Sequence, residues 1–591
     1  MTTYGYHGRY LRVDLTVARG EYVEIPSDEL RGHLGGSGLG TRLLLDSGAA
    51  QADPLSPAAT IAFVFSPLVG SPLTTSAKFA VVSKSPLTER INDSLASSHF
   101  AIAGKKCGCD AILISGQADE LSILVIDDGQ VCLEPAGDLH QTACSLAEKQ
   151  LKARFGNDFH FAVIGSAGEN LVRYATISHD GRHAGRGGSG AVLGSKNIKA
   201  IAVRGSQRTA WADPDGLVKY AKGLSEKSFG PATAKYRELG TASNLLVFNR
   251  LSALPTKNFQ QGSFVGAETL SPESMLQARE KTRASCAACT IGCEHLYALK
   301  PSAAGGFAQE KSSVRLEYEN LFALGPLCGI ADADVVLSAS QRCDELGLDT
   351  ISTGGTIAFA MECAERGFMD EPWLQFGDGD ALLRAIELIA ARDGFGDALA
   401  EGSRRLADRV GQDTIDFAPQ VKGLEIPGYE PRALQTMAMG CEVGTRWAHQ
   451  NRSGAYEADF TDKVDRRNVT TDAVKFAIES EDKAAIMDSL ILCKFLRGVF
   501  EDFYAEAATM LRLVTGWAVS PDELRDTARR IVSAKRQFNI RAGWTPDEDT
   551  LPQRFLGTAL PDDPRAVLSA TRLDELVAEY NRQRGWAGDD G

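Results

Sequence analysis

The stretch Cys286-Ala-Ala-Cys289-Thr-Ile-Gly-Cys293 decides how this chain is read. Three cysteines in eight residues, spaced Cys-x2-Cys-x3-Cys, can wrap their thiolates around one centre. Three thiolates do not complete a four-coordinate site, so a fourth ligand has to come from elsewhere in the chain. Zinc and an iron–sulfur cluster both accept cysteine-only ligation, and the spacing alone leaves the two about even.

Upstream of the loop, to about residue 205, the chain is written in short apolar runs. Tyr10 to Leu15 alternates with period two. Ile61 to Phe65, Phe79 to Ser83, Ala111 to Ser115, Phe161 to Gly165 and Ile198 to Val203 are apolar segments, most of them bounded by Gly, Pro or Ser. Ser122 to Ile126 and Val131 to Glu134 flank Asp127-Asp128-Gly129, which reads as a hairpin turn. After Asp213-Pro214 the spacing becomes helical, as in Asp215 to Ala221, Asp380 to Ala390 and Glu501 to Leu513. Asp213 and Pro214 suit a helix N-terminus through capping and a preset φ, and acidic residues open the other two segments. The expected class is α+β: a β-rich N-terminal domain over residues 1–210, then two mainly helical domains over 211–420 and 421–591. The cysteine loop falls in the first helical part.

The chain has 591 residues, too many for a single core. It is 43% hydrophobic and 24% charged, ordinary for a soluble globular protein. No apolar run is long enough to span a membrane, and Met1 to Tyr10 has no apolar signal region, so the expected location is the cytoplasm. There, the 12 cysteines are expected as thiols or ligands rather than disulfides. A formal net charge of −14 argues against general nucleic-acid binding, though an acidic protein partner could still use a local basic patch.

A candidate fourth ligand is Cys493, in Asp488-Ser-Leu-Ile-Leu492-Cys493. A similar segment, Asp344-Glu-Leu-Gly-Leu348-Asp349, comes earlier. Two copies of one Asp-x-x-x-Leu signature suggest two related binding surfaces; each alone is as readily a helix end.

With these motifs in view, the sequence resembles the tungsten-containing aldehyde ferredoxin oxidoreductases over essentially its whole length. The resemblance runs through Gly8 to Thr16, Leu34-Gly-Gly-Ser-Gly-Leu-Gly40, Lys84 to Thr88, Ala184 to Lys196, the cysteine loop, Glu317-Tyr318-Glu319, both signatures and Asn539 to Trp544. It implies a [4Fe-4S] cluster on Cys286, Cys289, Cys293 and Cys493. It also implies tungsten between two molybdopterin dithiolenes (a tungstopterin), their phosphates joined by Mg2+. Asp344 and Leu348 would serve one pterin, Asp488 and Leu492 the other, and a carboxylate can accept a pterin ring's N–H donors. Arg186 and Gly187 match the phosphate and magnesium region.

Two departures stand out. Lys78 replaces a usual arginine and loses its bidentate geometry. Leu95 opens a segment where the family has Asn-Ser-Gly-Gly, and its side chain cannot donate as asparagine does. The implied reaction is aldehyde plus water to carboxylic acid, with electrons passing to ferredoxin or an equivalent iron–sulfur subunit. Glu319 would be the proton acceptor, His449 a hydrogen-bond donor to the aldehyde oxygen, and Tyr318 a substrate-orienting group. Taken singly, each is more readily structural: a salt-bridged acid, a capping histidine and a stacked ring. The alternative within the family is an electron-transfer scaffold that keeps the cluster and has lost tungsten. A zinc-stapled structural protein is the reading outside it. Assembly into an oligomer is compatible with either family reading.

Overall fold

The computed structural model describes residues 4–300 and 313–586. Its first part holds two six-stranded sheets. The first sheet runs β2-β1-β6-β3-β4-β5, from β1 (Arg9–Asp14), β2 (Arg19–Glu24), β3 (Ile61–Val64), β4 (Lys78–Lys84), β5 (Ile91–Ser97) and β6 (Ala111–Ser115). The second runs β11-β10-β9-β12-β7-β8, from β7 (Ser122–Asp127), β8 (Gln130–Pro135), β9 (His160–Val163), β10 (Ile177–His179), β11 (Arg182–Ala184) and β12 (Ile198–Arg204).

The apolar runs are continuous because both faces of these strands are covered. In β3 and β4, Ile61, Phe63, Phe79 and Val81 face a layer shared with the second sheet. Ala62, Val64, Ala80 and Val82 face the layer under helix Gly36–Asp46. In β7 and β12, Leu124, Ile126, Ile201 and Val203 enter the shared layer. Ile123, Val125, Ala200 and Ala202 pack towards helix Cys144–Phe155. Helix His99–Lys106 contributes Phe100 and Ala101 to the layer between the sheets.

From residue 214 the chain is mainly helical, so the architecture is α+β. The helices form where their caps specify: the Asp213 side chain accepts the Gly216 N–H at 2.9 Å ahead of helix Pro214–Ser228, and Pro214 occupies its first turn. Asp378 caps Gly379–Ala391 and Asp502 caps Phe503–Thr515 in the same way. The cysteine loop departs from the helical expectation. It joins two antiparallel strands, β13 (Lys281–Ala284) and β14 (Glu294–Ala298), in a small sheet completed by β15 (Ser313–Arg315). Lys281-Thr-Arg-Ala284 is short, polar and half exposed, so it carries no apolar alternation to read. Among the described residues no helix is long and apolar enough to cross a membrane.

Candidate active site and cluster site

Backbone contacts bring Cys493 to the cysteine loop across about 200 residues of sequence. Thr75 links them: its N–H donates to the Ala288 carbonyl at 2.6 Å and its hydroxyl accepts the Cys493 N–H at 3.3 Å. Thr74 adds a second tie, its hydroxyl accepting the Thr290 N–H at 3.1 Å. Arg182 donates to Cys286 Sγ at 3.0 Å and pairs with Glu294 at 2.6 Å. Burial pushes the Cys289 and Cys293 thiols up, and the neighbouring Cys493 pushes them further. Lys78, at the start of β4, is shifted upward as a base: burial would lower it, but Cys493, Cys286 and Cys289 more than offset that. The four sulfurs therefore share one locality with two cations beside them. Among the described residues no three His, Cys, Asp or Glu side chains group tightly enough to grip a single metal ion.

Both Asp-x-x-x-Leu copies are helix C-termini. Helix Ala333–Leu346 ends at Gly347, and helix Val474–Leu490 ends at Ile491, both left-handed (φ +77° and +61°). In each, the signature leucine's N–H returns to the residue before the aspartate: Leu348 to Cys343 and Leu492 to Met487, both at 2.8 Å. The first copy is fastened to the segment leading into the second sheet. Thr176 N–H donates to Gly347 O at 2.8 Å, Asp349 N–H to Tyr174 O at 3.1 Å, and Leu348 forms a bridge with Ala175. The second is fastened beside the first sheet: Gly38 N–H donates to Ser489 Oγ at 3.1 Å and Ser66 Oγ to Leu490 O at 2.7 Å. The glycines of Leu34 to Gly40 serve this approach. A Cβ on Gly36, whose φ is +41°, would lie 2.2 Å from Asp488 O.

Between the copies lies a buried charge network. Arg186 pairs with Asp349 at 3.3 Å and donates to Ala448 O at 2.7 Å and Glu425 O at 2.5 Å. Arg446 reaches Asn92 Oδ1, Asp93 O, Ser94 Oγ and Arg186 O. Asp93 takes Lys535 at 2.7 Å and Arg452 at 3.1 Å. Asp488 lies 3.2 Å from Arg452 and 2.9 Å from Lys494. Five cations thus face three carboxylates, an excess that suits anionic groups such as phosphates. The network also leaves buried polar atoms without hydrogen-bond partners: Arg446 Nε, Trp447 Nε1, His449 Nδ1 and Gln450 Oε1. Unmatched buried polar atoms at one place fit a site built for a polar occupant. The family's pterins and their phosphates are such an occupant, and these residues suit them.

Glu319 sits at the start of helix Tyr318–Leu324. Its carboxylate accepts the Gly428 N–H at 3.0 Å and the Gln450 amide at 2.5 Å. Burial raises its pKa to about 7, against the Gly428 hydrogen bond and the charge of Arg186. Gln450, which holds the Glu319 carboxylate, directly follows His449 in the chain. Burial first, then Arg446, Arg452 and Arg186, hold His449 well below its ordinary pKa, so it is neutral at pH 7. Tyr318 is 2% exposed and its hydroxyl donates to Gly428 O. It stands behind Glu319 as a brace, its hydroxyl already committed. Gly428 is a glycine because a Cβ would lie 2.7 Å from the Tyr318 ring and 2.8 Å from Phe322.

Other expected residues are placed as follows. Asp344 lies 3.5 Å from His183 with its side chain 34% exposed, and burial raises its pKa to about 6. A Cβ on Gly187 (φ +87°) would lie 2.1 Å from Asn92 Oδ1, so Asn92 is what requires a glycine there. Leu95 turns away from the polar network and packs in the apolar layer with Leu39 and Phe538. The polar groups of β5 that enter the network are Asn92, Asp93 and Ser94, which the sequence reading passed over together with Arg446, Arg452, Lys494, Lys535 and Gln450. The available signal was Asn92-Asp-Ser94 directly before Leu95, and the two arginines flanking His449.

Family models match nearly the whole chain. The N-terminal domain of aldehyde ferredoxin oxidoreductase matches residues 10–205, and domains 2 and 3 of the same family match residues 219–591. The tungsten-containing aldehyde ferredoxin oxidoreductases of Thermococcus kodakarensis and Pyrococcus furiosus are each 36% identical over 99% of this chain and 97% of their own. The WOR-like subunit of an aliphatic sulfonate oxidoreductase from Pyrococcus furiosus is 27% identical over 99% of this chain and 95% of its own. Among solved structures, the active-site complex BamBC of benzoyl coenzyme A reductase aligns with a TM-score of 0.82 at 22% identity, covering 99% of this chain and 95% of that one. At that identity the likeness is one of fold.

Proposed function

The chain belongs to the tungsten-containing aldehyde ferredoxin oxidoreductase family and is an oxidoreductase of that family, and from that premise we propose that it converts an aldehyde and water to a carboxylic acid, releasing two protons and two electrons to a ferredoxin-type carrier. The observation that carries this is Glu319: a buried carboxyl with a pKa raised to about 7, held by Gly428 and by Gln450, the residue after a neutral His449.

Cys286, Cys289, Cys293 and Cys493 would hold the [4Fe-4S] cluster, with Lys78 and Arg182 as charge partners. Asp344 with Leu348 and Asp488 with Leu492 would each hold one pterin, at the junctions of segment 1–210 with segments 211–420 and 421–591. Arg446, Asn92 and the Arg186-Gly187 turn would face the phosphates and Mg2+. When bound, the tungsten centre supplies the two-electron oxidation and the cluster the passage of electrons one at a time.

The chain's own groups do the rest. With a pKa near 7, Glu319 is ionised in about half the molecules at neutral pH and can take a proton from water as it adds to the carbonyl carbon. The Gly428 N–H and the Gln450 amide each hold one carboxylate oxygen, which fixes the orientation of the group, and each oxygen keeps a lone pair that can accept the proton. A neutral His449 has one ring N–H to give to the aldehyde oxygen, and three nearby arginines oppose its protonation. Tyr318 keeps Gly428 in place.

Replacing Glu319 by Gln keeps shape and hydrogen bonding but removes the proton acceptor. We expect turnover to fall by roughly 10²- to 10⁴-fold with metal content unchanged. In the wild type, kcat/KM should rise with pH through about 7, as the raised carboxyl ionises, and the variant should lose that limb. Turnover within a few-fold of wild type removes Glu319 from the mechanism.

A further inference from the structure

One cavity lies outside this machinery but touches the cysteine loop. It encloses about 370 Å³ between the end of helix His99–Lys106, the segment 207–211 and Ala288, which lies between Cys286 and Cys289. Its lining includes Lys105, Lys106, Arg208, His7 and Trp211, and no aspartate or glutamate. That contrasts with the chain, where 77 acidic residues outnumber 63 basic ones.

Lys105 is already used, donating to Gly5 O at 2.7 Å and Ser66 O at 2.6 Å with Asp110 at 3.8 Å. Lys106 and Arg208 are not: among the described residues neither takes part in an ion pair, and Arg208 is exposed. Two further ring nitrogens, Trp211 Nε1 and His7 Nε2, are buried with no hydrogen-bond partner. Trp211 can only donate. The local potential is positive by a separate sign: burial, then Lys105 and Arg9, push His7 down to about 4.

A donor-rich, acid-free pocket against an exposed alanine of the cluster loop is complementary to a carboxylate. We propose that this cavity seats an acidic side chain of the electron-carrier protein, so that the carrier docks over Ala288 with Lys106 and Arg208 as its charge contacts and Trp211 Nε1 as a hydrogen-bond donor. This rests on the oxidoreductase reading above and names the place where electrons leave. A cluster held by the four cysteines would supply one electron per docking event, which the oxidised carrier accepts. No bond forms or breaks, and proton release stays at the aldehyde site.

The test uses the holoenzyme and an acidic bacterial-type ferredoxin. Its Kd is measured at low salt for wild type, for the Lys106→Glu/Arg208→Glu double variant and for Trp211→Phe, and aldehyde-dependent reduction of benzyl viologen is followed in parallel. We expect the Kd to rise about tenfold or more in the double variant and a few-fold in Trp211→Phe, while dye reduction stays within twofold of wild type. Salt should weaken wild-type binding and leave the double variant nearly unaffected. No binding by wild type, or equal Kd values in all three proteins, overturns the docking site. Loss of aldehyde-dependent dye reduction in the wild type itself would count against the oxidoreductase reading, while a Kd that still follows the charge reversal would support the docking site.

Discussion

The two Asp-x-x-x-Leu copies share a backbone and differ in almost everything attached to it. Each ends a helix, turns through a left-handed residue and returns the leucine N–H to the residue before the aspartate. The first carries a half-exposed Asp344 beside a neutral His183 and continues into Asp349, which caps the next helix and holds Arg186. The second carries a fully buried Asp488 between Arg452 and Lys494 and continues into Cys493, beside the cluster loop. One local geometry thus serves two purposes: the first copy tethers the arginine network to the second sheet, and the second ties that network to the cysteine loop. The lesson is that the repeated signature specifies a turn, and the residue after the leucine decides what the turn is for.

That contrast can be broken at its most unequal position. Cys493→Ala should lose iron and the cluster's visible absorbance, because three thiolates hold a cluster poorly. Asp349→Ala, at the matching place, should keep its iron and lose about 1–2 kcal/mol of stability from the missing helix cap alone. Iron retained in Cys493→Ala would refute Cys493 as fourth ligand. The aspartates come next. Asp488→Ala leaves buried Lys494 without its ion pair and Arg452 with Asp93 alone, and should cost about 3–5 kcal/mol in denaturant unfolding. Asp344→Ala, half exposed, should cost under about 1 kcal/mol. Both should lower tungsten occupancy, and Asp488→Ala should disturb the cluster's electron paramagnetic resonance signal more. Equal unfolding costs would mean that the burial difference does not set the energetics. The smallest effect is at the turns. Gly347→Ala, at φ +77° and 3.0 Å from Gly165 N, should cost about 1–2 kcal/mol. Ile491 already bears such strain, and its buried side chain stands against it, so Ile491→Gly should not stabilise the protein. A more stable Ile491→Gly would show that relief of backbone strain outweighs the loss of that side chain's packing.

Much of this was legible in the sequence wherever one rule acted alone. Strands β3, β4, β7 and β12 stand out because burial on both faces demands continuous apolar runs. Strand β5 was hidden for the opposite reason. Ile91-Asn-Asp-Ser-Leu-Ala-Ser97 is buried along most of its length, but it turns Asn92, Asp93 and Ser94 into the charge network, so its composition resembles a loop. The same strand explains why Leu95 misled: the side chain compared with the family's asparagine points into the apolar layer, while the polar contacts lie one to three residues earlier. Arg446, Arg452, Lys494 and Lys535 could not be found by spacing, because what unites them is two buried carboxylates, Asp93 and Asp488, nearly 400 residues apart in the chain. Glu319 was named by resemblance, but its raised pKa and its hold on Gln450 belong to the folded protein.

If the two copies hold a tungsten-pterin centre beside a four-cysteine cluster, the metals must be present in fixed proportion. Elemental analysis of the purified wild-type protein measures that proportion. About one tungsten and about four iron atoms per chain are expected, with little zinc. Iron without tungsten would leave an electron-transfer scaffold, and zinc in place of iron would contradict the two-centre reading outright.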